Sequence, residues 1–468
     1  MHLIDSVPIG TDTIVAISTA AGTGSIGIIR MSGPEALAIA DKMFMTKDKK
    51  KPSTFKSFTV HYGWVVKGTK GEVIDEALLS IMRGPKSYTK EDIVEISCHG
   101  GMVSLRSILM MATELGARLA EPGEFTKRAF LNGRLDLTQA EAVLDIIQAK
   151  TSAFLRVSHH QLKGELTKTL EDIREHVMTV YTQLEAIMNF PEDDIDSPAK
   201  PEILKRISEA EGQVERLLLS SEQGRILKEG IKIVICGRPN VGKSLLLNVL
   251  LKQPRAIVSD IAGTTRDTIE ETAQIKGIPF QLIDTAGILK PRDVIEEEAV
   301  KRSRLYIEGA DLALLVVDMS RELLQEDRDI MESLKDQNVI VLFNKCDLKS
   351  KIQEAAVEKI LPVKKILRIS ALEKIGMDQL EEAIVSNVLH GAVVNTDAVL
   401  VSNLRHVNAL EAAAAALQRG GNIFKQGLSL EFVSEELKIA VNELDRITGR
   451  SIDADLLDQI FSSFCIGK

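Results

Sequence analysis

The sequence predicts a multidomain α/β and α chain: an N-terminal α+β domain, a helical domain split along the sequence, and a doubly wound α/β domain inserted between its halves. Three observations carry that prediction. Residues 1–130 mix short β-like runs with helical stretches, while residues 131–229 and 391–468 carry apolar stripes at helical spacing. Residues 230–390 open as strand, Gly-rich turn and helix, then continue with apolar runs that each end in a polar motif.

The chain has 468 residues, room for about three domains, and its 44% hydrophobic content suffices for a packed core in each. No apolar run approaches the roughly 18 residues of a membrane helix, and Met1 to Gly10 lacks a basic segment followed by an apolar one, so neither a membrane nor secretion is expected. Cys98, Cys236, Cys346 and Cys465 are scattered without metal-ligand spacing, which points to a reducing cytosol and a cytoplasmic location. A net charge of −9 would not draw nucleic acid, so any RNA contact needs a local patch. Lys47-Asp48-Lys49-Lys50-Lys51, with Lys56, lacks interleaved aromatics and reads as a solvated loop.

In order along the chain, residues 13–17 and 93–96 read as strands and residues 35–43 and 103–115 as helices. Thr138 with Glu141 has the form of a capping box, and Ala140, Val143, Leu144 and Ile147 fall on one helical face. Helices then dominate to about residue 225, broken by a Pro- and Asp-rich loop from Phe190-Pro191 through Pro198 and Pro201. After residue 390, Val407, Leu410, Ala414 and Leu417 share a face that Gly420-Gly421 would terminate, and a further helix spans residues 430–447. The two helical stretches need burial, and packing them together is the simplest way to get it.

Gly237-Arg238-Pro239-Asn240-Val241-Gly242-Lys243-Ser244 follows the apolar run 231–236 and precedes the apolar run 245–251. This is the pattern of a P-loop, whose backbone N–H groups turn inward around an anion at a helix N-terminus. Lys243 would reach the β- and γ-phosphates, and Ser244 would offer its hydroxyl to Mg²⁺. Asp284-Thr285-Ala286-Gly287 ends the apolar run 278–283; its carboxylate can hold Mg²⁺ through water, and the Gly287 N–H can approach a γ-phosphate. Asn344-Lys345-Cys346-Asp347 follows the apolar run 339–343, and its Asp347 can take two hydrogen bonds from guanine, a pair of donors adenine lacks. Ser370-Ala371, after residues 366–369, could present an N–H to the guanine carbonyl. Gly263-Thr264-Thr265-Arg266-Asp267 lies between the first two motifs; alone these are loop residues, but within this set a Thr could close the Mg²⁺ shell when a γ-phosphate is present. The set describes a GTPase. After Gly287, where many GTPases place a Gln that orients water, stands Ile288, so hydrolysis needs another device. Asn240 and the run Glu296-Glu297-Glu298 are the nearest candidates, although such a run also suits a solvated helix face.

Over nearly its full length the chain resembles the MnmE (TrmE) family of tRNA-modification GTPases. The resemblance is carried by Asp12-Thr13-Ile14-Val15-Ala16, Gly27-Ile28-Ile29-Arg30, and Tyr88-Thr89-Lys90-Glu91-Asp92-Ile93-Val94-Glu95-Ile96 with His99-Gly100-Gly101. It continues through Pro122-Gly123-Glu124-Phe125-Thr126-Lys127-Arg128-Ala129-Phe130-Leu131-Asn132-Gly133-Arg134-Leu135-Asp136-Leu137 and closes with Cys465-Ile466-Gly467-Lys468. It implies a folate-binding-like and dimerising N-terminal domain, a split helical domain and an inserted P-loop (Ras-like) GTPase domain. It also implies a homodimer that works with the FAD-containing partner MnmG (GidA) to place a carboxymethylaminomethyl group at C5 of the wobble uridine of certain tRNAs.

By that resemblance a 5-formyltetrahydrofolate-like ligand contacts Arg30, Glu95, Arg134 and Lys468, and Cys465 takes part in the chemistry. GTP or GDP is held by residues 240–244, Ser259-Asp260-Ile261-Ala262-Gly263-Thr264-Thr265, residues 284–287, Asn344, Lys345, Asp347, Ser370 and Ala371, with Mg²⁺ on Ser244 and Thr265. The resemblance also answers the Ile288 problem: K⁺ held by Asn240, Ser259, Ile261 and Thr264 takes the place of an arginine finger, and Glu296 orients the water. On the residues alone, the chain end is either a reactive thiol near a basic group or a terminus that frays; the resemblance favours the first. The chain departs from the family pattern in four places: Arg134 is often Lys there, Ser259 is commonly Thr, Ala20-Ala21-Gly22-Thr23-Gly24-Ser25 replaces Pro-Pro-Gly-Arg-Gly-Gly, and Glu298-Ala299 replaces an apolar residue and a Gly. Other readings are a regulatory GTPase of RNA or ribosome assembly and a one-carbon transferase with a degenerate GTPase domain. The complete nucleotide motif set argues against the latter.

Overall fold

A computed structural model of the chain describes residues 12–20, 22–68, 71–189, 200–251, 270–284, 307–362, 365–388 and 398–468. The chain divides into two compact units, one of Met1–Leu144, Gln161–Val214 and Asn408–Lys468, the other of Asp145–His160 and Glu215–Val407.

In the first unit, β1 (Ile14–Ile17), β2 (Ile26–Ser32), β3 (Phe44–Thr46), β4 (Thr59–Lys67), β5 (Glu72–Met82), β6 (Ile93–His99) and β7 (Arg118–Leu119) form a sheet in the order β3-β4-β5-β6-β2-β1-β7. Every pairing is antiparallel except β1 with β7. One face alternates into a core with α1 (Ala36–Met43) and α2 (Met102–Glu114), centred on Ile29, Met31, Leu79, Ile96 and Ile108. The other face is not covered everywhere: Val60, Tyr62 and Leu78 stand 62%, 49% and 45% exposed. The register sets Arg30 of β2 opposite Glu95 of β6.

The helical part begins with α3 (Glu124–Leu131), α4 (Leu137–Gln148), α5 (Ser152–Leu162), α6 (Glu165–Asn189) and α7 (Lys200–Glu229). The cap of α4 differs from expectation. Asp136 and Gln139 form the reciprocal pair: the Gln139 N–H donates to Asp136 Oδ1 at 3.0 Å, and the Asp136 N–H donates to Gln139 Oε1 at 3.0 Å. Thr138 instead donates to Asp136 at 2.7 Å, because the carboxylate two residues earlier is the better acceptor. Its buried residues include Ala140, Glu141, Ala142 and Asp145, while Ile147 is 44% exposed, so the expected stripe is rotated. Pro201, expected in a loop, lies in the first turn of α7, where its missing N–H leaves no bond unmade; residues 190–199 lie outside the described residues.

The second unit holds β8 (Ile231–Cys236), α8 (Lys243–Leu251), β9 (Glu270–Ile275), β10 (Ile278–Asp284), β11 (Leu312–Asp318), α9 (Gln325–Ser333), β12 (Val339–Asn344), α10 (Glu354–Glu358), β13 (Ile366–Arg368) and α11 (Met377–Val388). The strands form one sheet in the order β13-β12-β11-β8-β10-β9, parallel except for the β10–β9 hairpin. Its central strands read as unbroken apolar runs because both faces are buried: β11 and β12 have no exposed residue. This is the doubly wound domain the sequence predicted.

The chain closes with α12 (Leu404–Lys425), α13 (Leu430–Thr448) and α14 (Ala454–Ser462). Gly420-Gly421 does not end α12. A Cβ at Gly420 would sit 3.4 Å from Glu436 Cβ of α13, and one at Gly421 would sit 3.5 Å from Ile207 Cγ2 of α7. These glycines admit neighbouring helices, and that packing outweighs their low helix propensity. As expected, the late helices pack on the early ones: α13 lies along α6, with Arg174 Nε 2.7 Å from Asp445 Oδ1 and Ser434 bonded to Glu185.

Candidate nucleotide site and a cationic tail site

β8 delivers the chain to a tight loop at its carboxyl end. Gly237 has φ +139°, and a Cβ there would lie 2.3 Å from the Val316 carbonyl oxygen, so only glycine fits the turn. Gly242 has φ +103°, with its Cβ position 2.3 Å from Asn344 Nδ2. Asn240 also adopts positive φ, 64°, a conformation asparagine tolerates better than most residues. Lys243 is buried and folds back over the loop, donating from Nζ to the carbonyls of Gly237 (2.6 Å) and Arg238 (2.7 Å). The loop thus turns tightly into the N-terminus of α8 with a lysine folded over it, an arrangement suited to holding a polyphosphate. Ser244 is exposed in the first turn of α8, where its hydroxyl could serve as a hard oxygen ligand of the kind Mg²⁺ takes.

Asn344, at the end of β12, ties this loop to the next motif. Its Nδ2 donates to the Val241 carbonyl at 2.8 Å, and its Oδ1 accepts from the Ala371 N–H at 3.0 Å. Lys345, with φ 64°, donates to the Asn240 carbonyl at 3.2 Å and to Asp318 Oδ2 at 2.5 Å. Burial would push the Asp318 carboxyl up, but its hydrogen bonds from Lys345 and Ser320 and the Lys345 charge hold it below its ordinary value. Ser370 is buried and pairs with Ile375, while Asp347 is exposed beyond Lys345 and Cys346. The residues expected to read guanine are therefore joined to the phosphate loop through Asn344 and Lys345. Asp318 was not a sequence candidate, although a carboxylate ending the all-apolar run 312–317 was a usable signal. Residues 259–265, Thr285, Ala286, Gly287 and Glu296 lie outside the described residues, as does the side chain of Asp284 at the end of β10; so do Glu298 and Ala299.

A second constellation lies in the first unit. Arg30 Nε donates to Glu95 Oε1 at 2.7 Å, and Arg30 Nη1 donates to the Gly467 carbonyl at 3.1 Å. Ser18 Oγ donates to the same carbonyl at 3.2 Å. Gly467 has φ +93°, and a Cβ would lie 2.6 Å from the Ile17 carbonyl oxygen, so glycine lets the tail lie flat against β1. Arg30 also faces Tyr88 and Phe125, its Cζ 5.9 and 5.6 Å from their ring centres; Arg134, exposed, stacks its guanidinium 4.7 Å over the Tyr88 ring. A lysine at 134 would lose that planar contact. Lys468 is held below its ordinary value by burial and then by the Arg30 charge. Arg30, Glu95 and Lys468 are thus brought together, with Arg134 joined through Tyr88. Cys465 is exposed, while Phe464 beside it is buried with Phe461, Phe130 and Leu137. Tyr88 and Ser18 were missed as site residues, although Tyr88 opens the family-like run Tyr88 to Ile96.

Proteins named tRNA modification GTPase MnmE align along almost the whole chain. Those from Desulforamulus reducens (47% identity over 458 residues, 98% of this chain and 99% of that protein) and Alkaliphilus oremlandii (45% over 457, 98% and 99%) are joined by that from Bacillus subtilis (43% over 458, 98% and 100%). A family model described as the MnmE helical domain matches residues 137–465, and another, described as the GTP-binding protein TrmE N-terminus, matches residues 13–134. The chain belongs to the MnmE (TrmE) family of tRNA-modification GTPases. It is a GTP hydrolase that binds GTP and GDP.

As in the cationic site of this MnmE-family chain, thiol chemistry is sorted by burial. Cys98 is pushed up to about 11 by burial and then by the Asp75 charge, and Cys236, fully enclosed under the phosphate loop, to about 12. Neither supplies a thiolate near neutral pH. Cys465 is the exposed thiol. Among the described residues, no helix is long and apolar enough to cross a membrane, and no cluster of His, Cys, Asp and Glu could hold a metal.

Proposed function

We propose that this chain is a K⁺-activated GTPase that, with an FAD-containing partner of the MnmG (GidA) kind, modifies C5 of the wobble uridine of certain tRNAs using a folate one-carbon unit. In this reading residues 1–130 bind tetrahydrofolate and dimerise, residues 131–229 and 391–468 form the helical domain, and residues 230–390 form the GTPase domain, all in the cytoplasm. The observation that carries it is the tail site: Arg30 grips both Glu95 and the Gly467 carbonyl beside Lys468, making a half-buried ion pair, on a chain that also carries a full phosphate loop. A GTPase that only guided RNA or ribosome assembly has no use for that site.

The residues fit the groups they would hold. Two cations, a carboxylate and an aromatic ring suit a folate, whose carboxylates need cations and whose pterin ring offers N–H donors and a flat face. In GTP turnover Lys243 would leave the loop carbonyls for the β- and γ-phosphates, and Asp347 would take the guanine N–H groups. Ser244 and Thr265 would hold Mg²⁺, which neutralises phosphate charge when bound. Asn240 would give its exposed amide oxygen to K⁺ with Ser259, Ile261 and Thr264, and Glu296 would orient the attacking water. Homodimerisation is supported by the exposed Val60, Tyr62 and Leu78 on the open face of β4 and β5.

Mass spectrometry of tRNA nucleosides tests the reading. Cells lacking this chain should lose the carboxymethylaminomethyl group at the wobble uridine, and Lys468→Ala and Cys465→Ser should reproduce that loss with GTP hydrolysis retained. An unchanged wobble uridine would reject the reading in favour of a regulatory GTPase.

A further inference from the structure

From the last turn of α1 through β3 to the loop before β4 the chain is locally basic: residues 41–56 hold six lysines against two aspartates, while the whole carries −9. Lys47, Lys49, Lys50, Lys51 and Lys56 are all exposed. The stretch is nonetheless fixed. The Thr46 carbonyl accepts from the Lys49 N–H at 3.0 Å, Thr46 Oγ1 donates to the Lys50 carbonyl at 3.1 Å, and Thr54 Oγ1 donates to the Lys51 carbonyl at 2.7 Å. Both oxygens of Asp41 are taken by Ser53, from its N–H at 2.7 Å and its hydroxyl at 2.6 Å. Of the two aspartates one is therefore spent inside the turn, and the other, Asp48, pairs with Lys50 at 3.0 Å.

Two residues here adopt a backbone that glycine would adopt at no cost: Lys49 at φ 56° and Phe58 at φ 59°. For a bulky side chain this is a genuine outlier, and strain of that kind collects at functional surfaces. Phe58 is also 68% exposed. Its N–H is anchored on the Ile81 carbonyl at 2.7 Å, and Thr59 Oγ1 holds the Lys56 carbonyl at 2.6 Å. An aromatic ring is thus held out into solvent two residues from Lys56. The sequence run 47–51 lacked such a ring, and the strand start supplies it.

We propose that this corner docks the RNA substrate, its lysines on backbone phosphates and Phe58 stacked on an unpaired base. The proposal rests on tRNA being the substrate. A lipid surface fits less well, since the corner presents no amphipathic helix to lay an apolar face into a bilayer.

The test is fluorescence anisotropy of the full-length protein with an end-labelled tRNA transcript, titrated across salt, alongside a blunt RNA duplex without a loop. Replacing Lys47, Lys50 and Lys51 together by Gln should lower the log–log salt slope by about 2. Phe58→Ala should weaken tRNA binding about 5- to 150-fold and leave duplex binding unchanged. Lys49→Gly and Phe58→Gly should raise the thermal midpoint while weakening tRNA binding, an opposition that misfolding cannot produce. GTP hydrolysis without RNA should be the same in all variants. Unaltered tRNA affinity in the variants overturns the docking surface and leaves the substrate assignment standing, whereas no tRNA binding by the parent protein overturns both. Loss of the dimer in sedimentation by Phe58→Ala, with RNA binding intact, would give this corner to a second copy. Loss of binding to phosphatidylserine vesicles, again with RNA binding intact, would give it to a membrane.

Discussion

At Glu124 the N-terminal helix α3 is secured by charge. Its Oε1 lies 2.6 Å from Arg118 Nη2 and 3.0 Å from Arg128 Nη2, and its Oε2 accepts from the Glu121 N–H at 2.8 Å. Burial would push this carboxyl up, yet Arg118, the Glu121 N–H and Arg128 together bring it below its ordinary value. A carboxyl lowered on folding stabilises the protein above its unfolded value of about 4.3 and loses that contribution as pH falls through the lower, folded value. Glu124→Gln should therefore cost about 1 to 3 kcal/mol at pH 7, discounted because Arg118 is 45% exposed, and less at pH 3. Urea unfolding at both values checks this; an equal cost at the two would mean that the charge is not what Glu124 contributes. This residue was legible only as part of a motif. Nothing in the spacing of residues 122–128 announced that Arg128, 4% exposed, also meets Glu91 and Asp12, because those partners come from loops distant in sequence.

The elements follow the same division. The strand-loop-helix of the nucleotide site was readable from the sequence because its constraints are local: glycine at two positive-φ positions, an apolar strand before, an apolar helix after. Gly242→Ala should weaken GDP binding by at least about tenfold in calorimetry, since the added methyl meets Asn344 Nδ2 at 2.3 Å and disturbs the residue that links loop and base site. Gly427→Ala, at φ +70° with nothing within 4 Å, is the control: it should cost about 1 to 2 kcal/mol from backbone strain alone and leave GDP affinity unchanged. If both variants bind GDP like the parent, the Gly242 contact is not a constraint on the site. Tertiary partners decided where local rules erred. Gly420 and Gly421 read as a stop and are instead a close helix approach, and Thr138 read as a cap before Asp136, two residues earlier, took that position. The pairing of Arg30 with Glu95 and the tail was beyond any local rule, since register across β2 and β6 and a residue 437 positions away set it.

At the scale of the whole molecule, the question is what orients water and supplies positive charge where Ile288 stands in place of a Gln. Ile288 offers no hydrogen bond, and an unassisted phosphate loop with Mg²⁺ hydrolyses GTP slowly. A monovalent cation between phosphates and backbone can supply the transition-state charge, provided that its radius matches the donors around it, and Asn240 already turns its backbone through φ 64° with its side chain exposed beside the loop. Turnover of GTP by the purified chain should then be at least about tenfold faster in KCl than in NaCl at equal ionic strength, because the smaller Na⁺ would fit less well among donors spaced for K⁺. Asn240→Ala should remove the difference between the salts, while Glu296→Ala should lower kcat about a hundredfold or more and leave GDP affinity unchanged, as loss of a general base does. Equal rates in the two salts would discard the cation and leave hydrolysis to a partner protein, whose addition would then have to raise the rate in NaCl as much as in KCl.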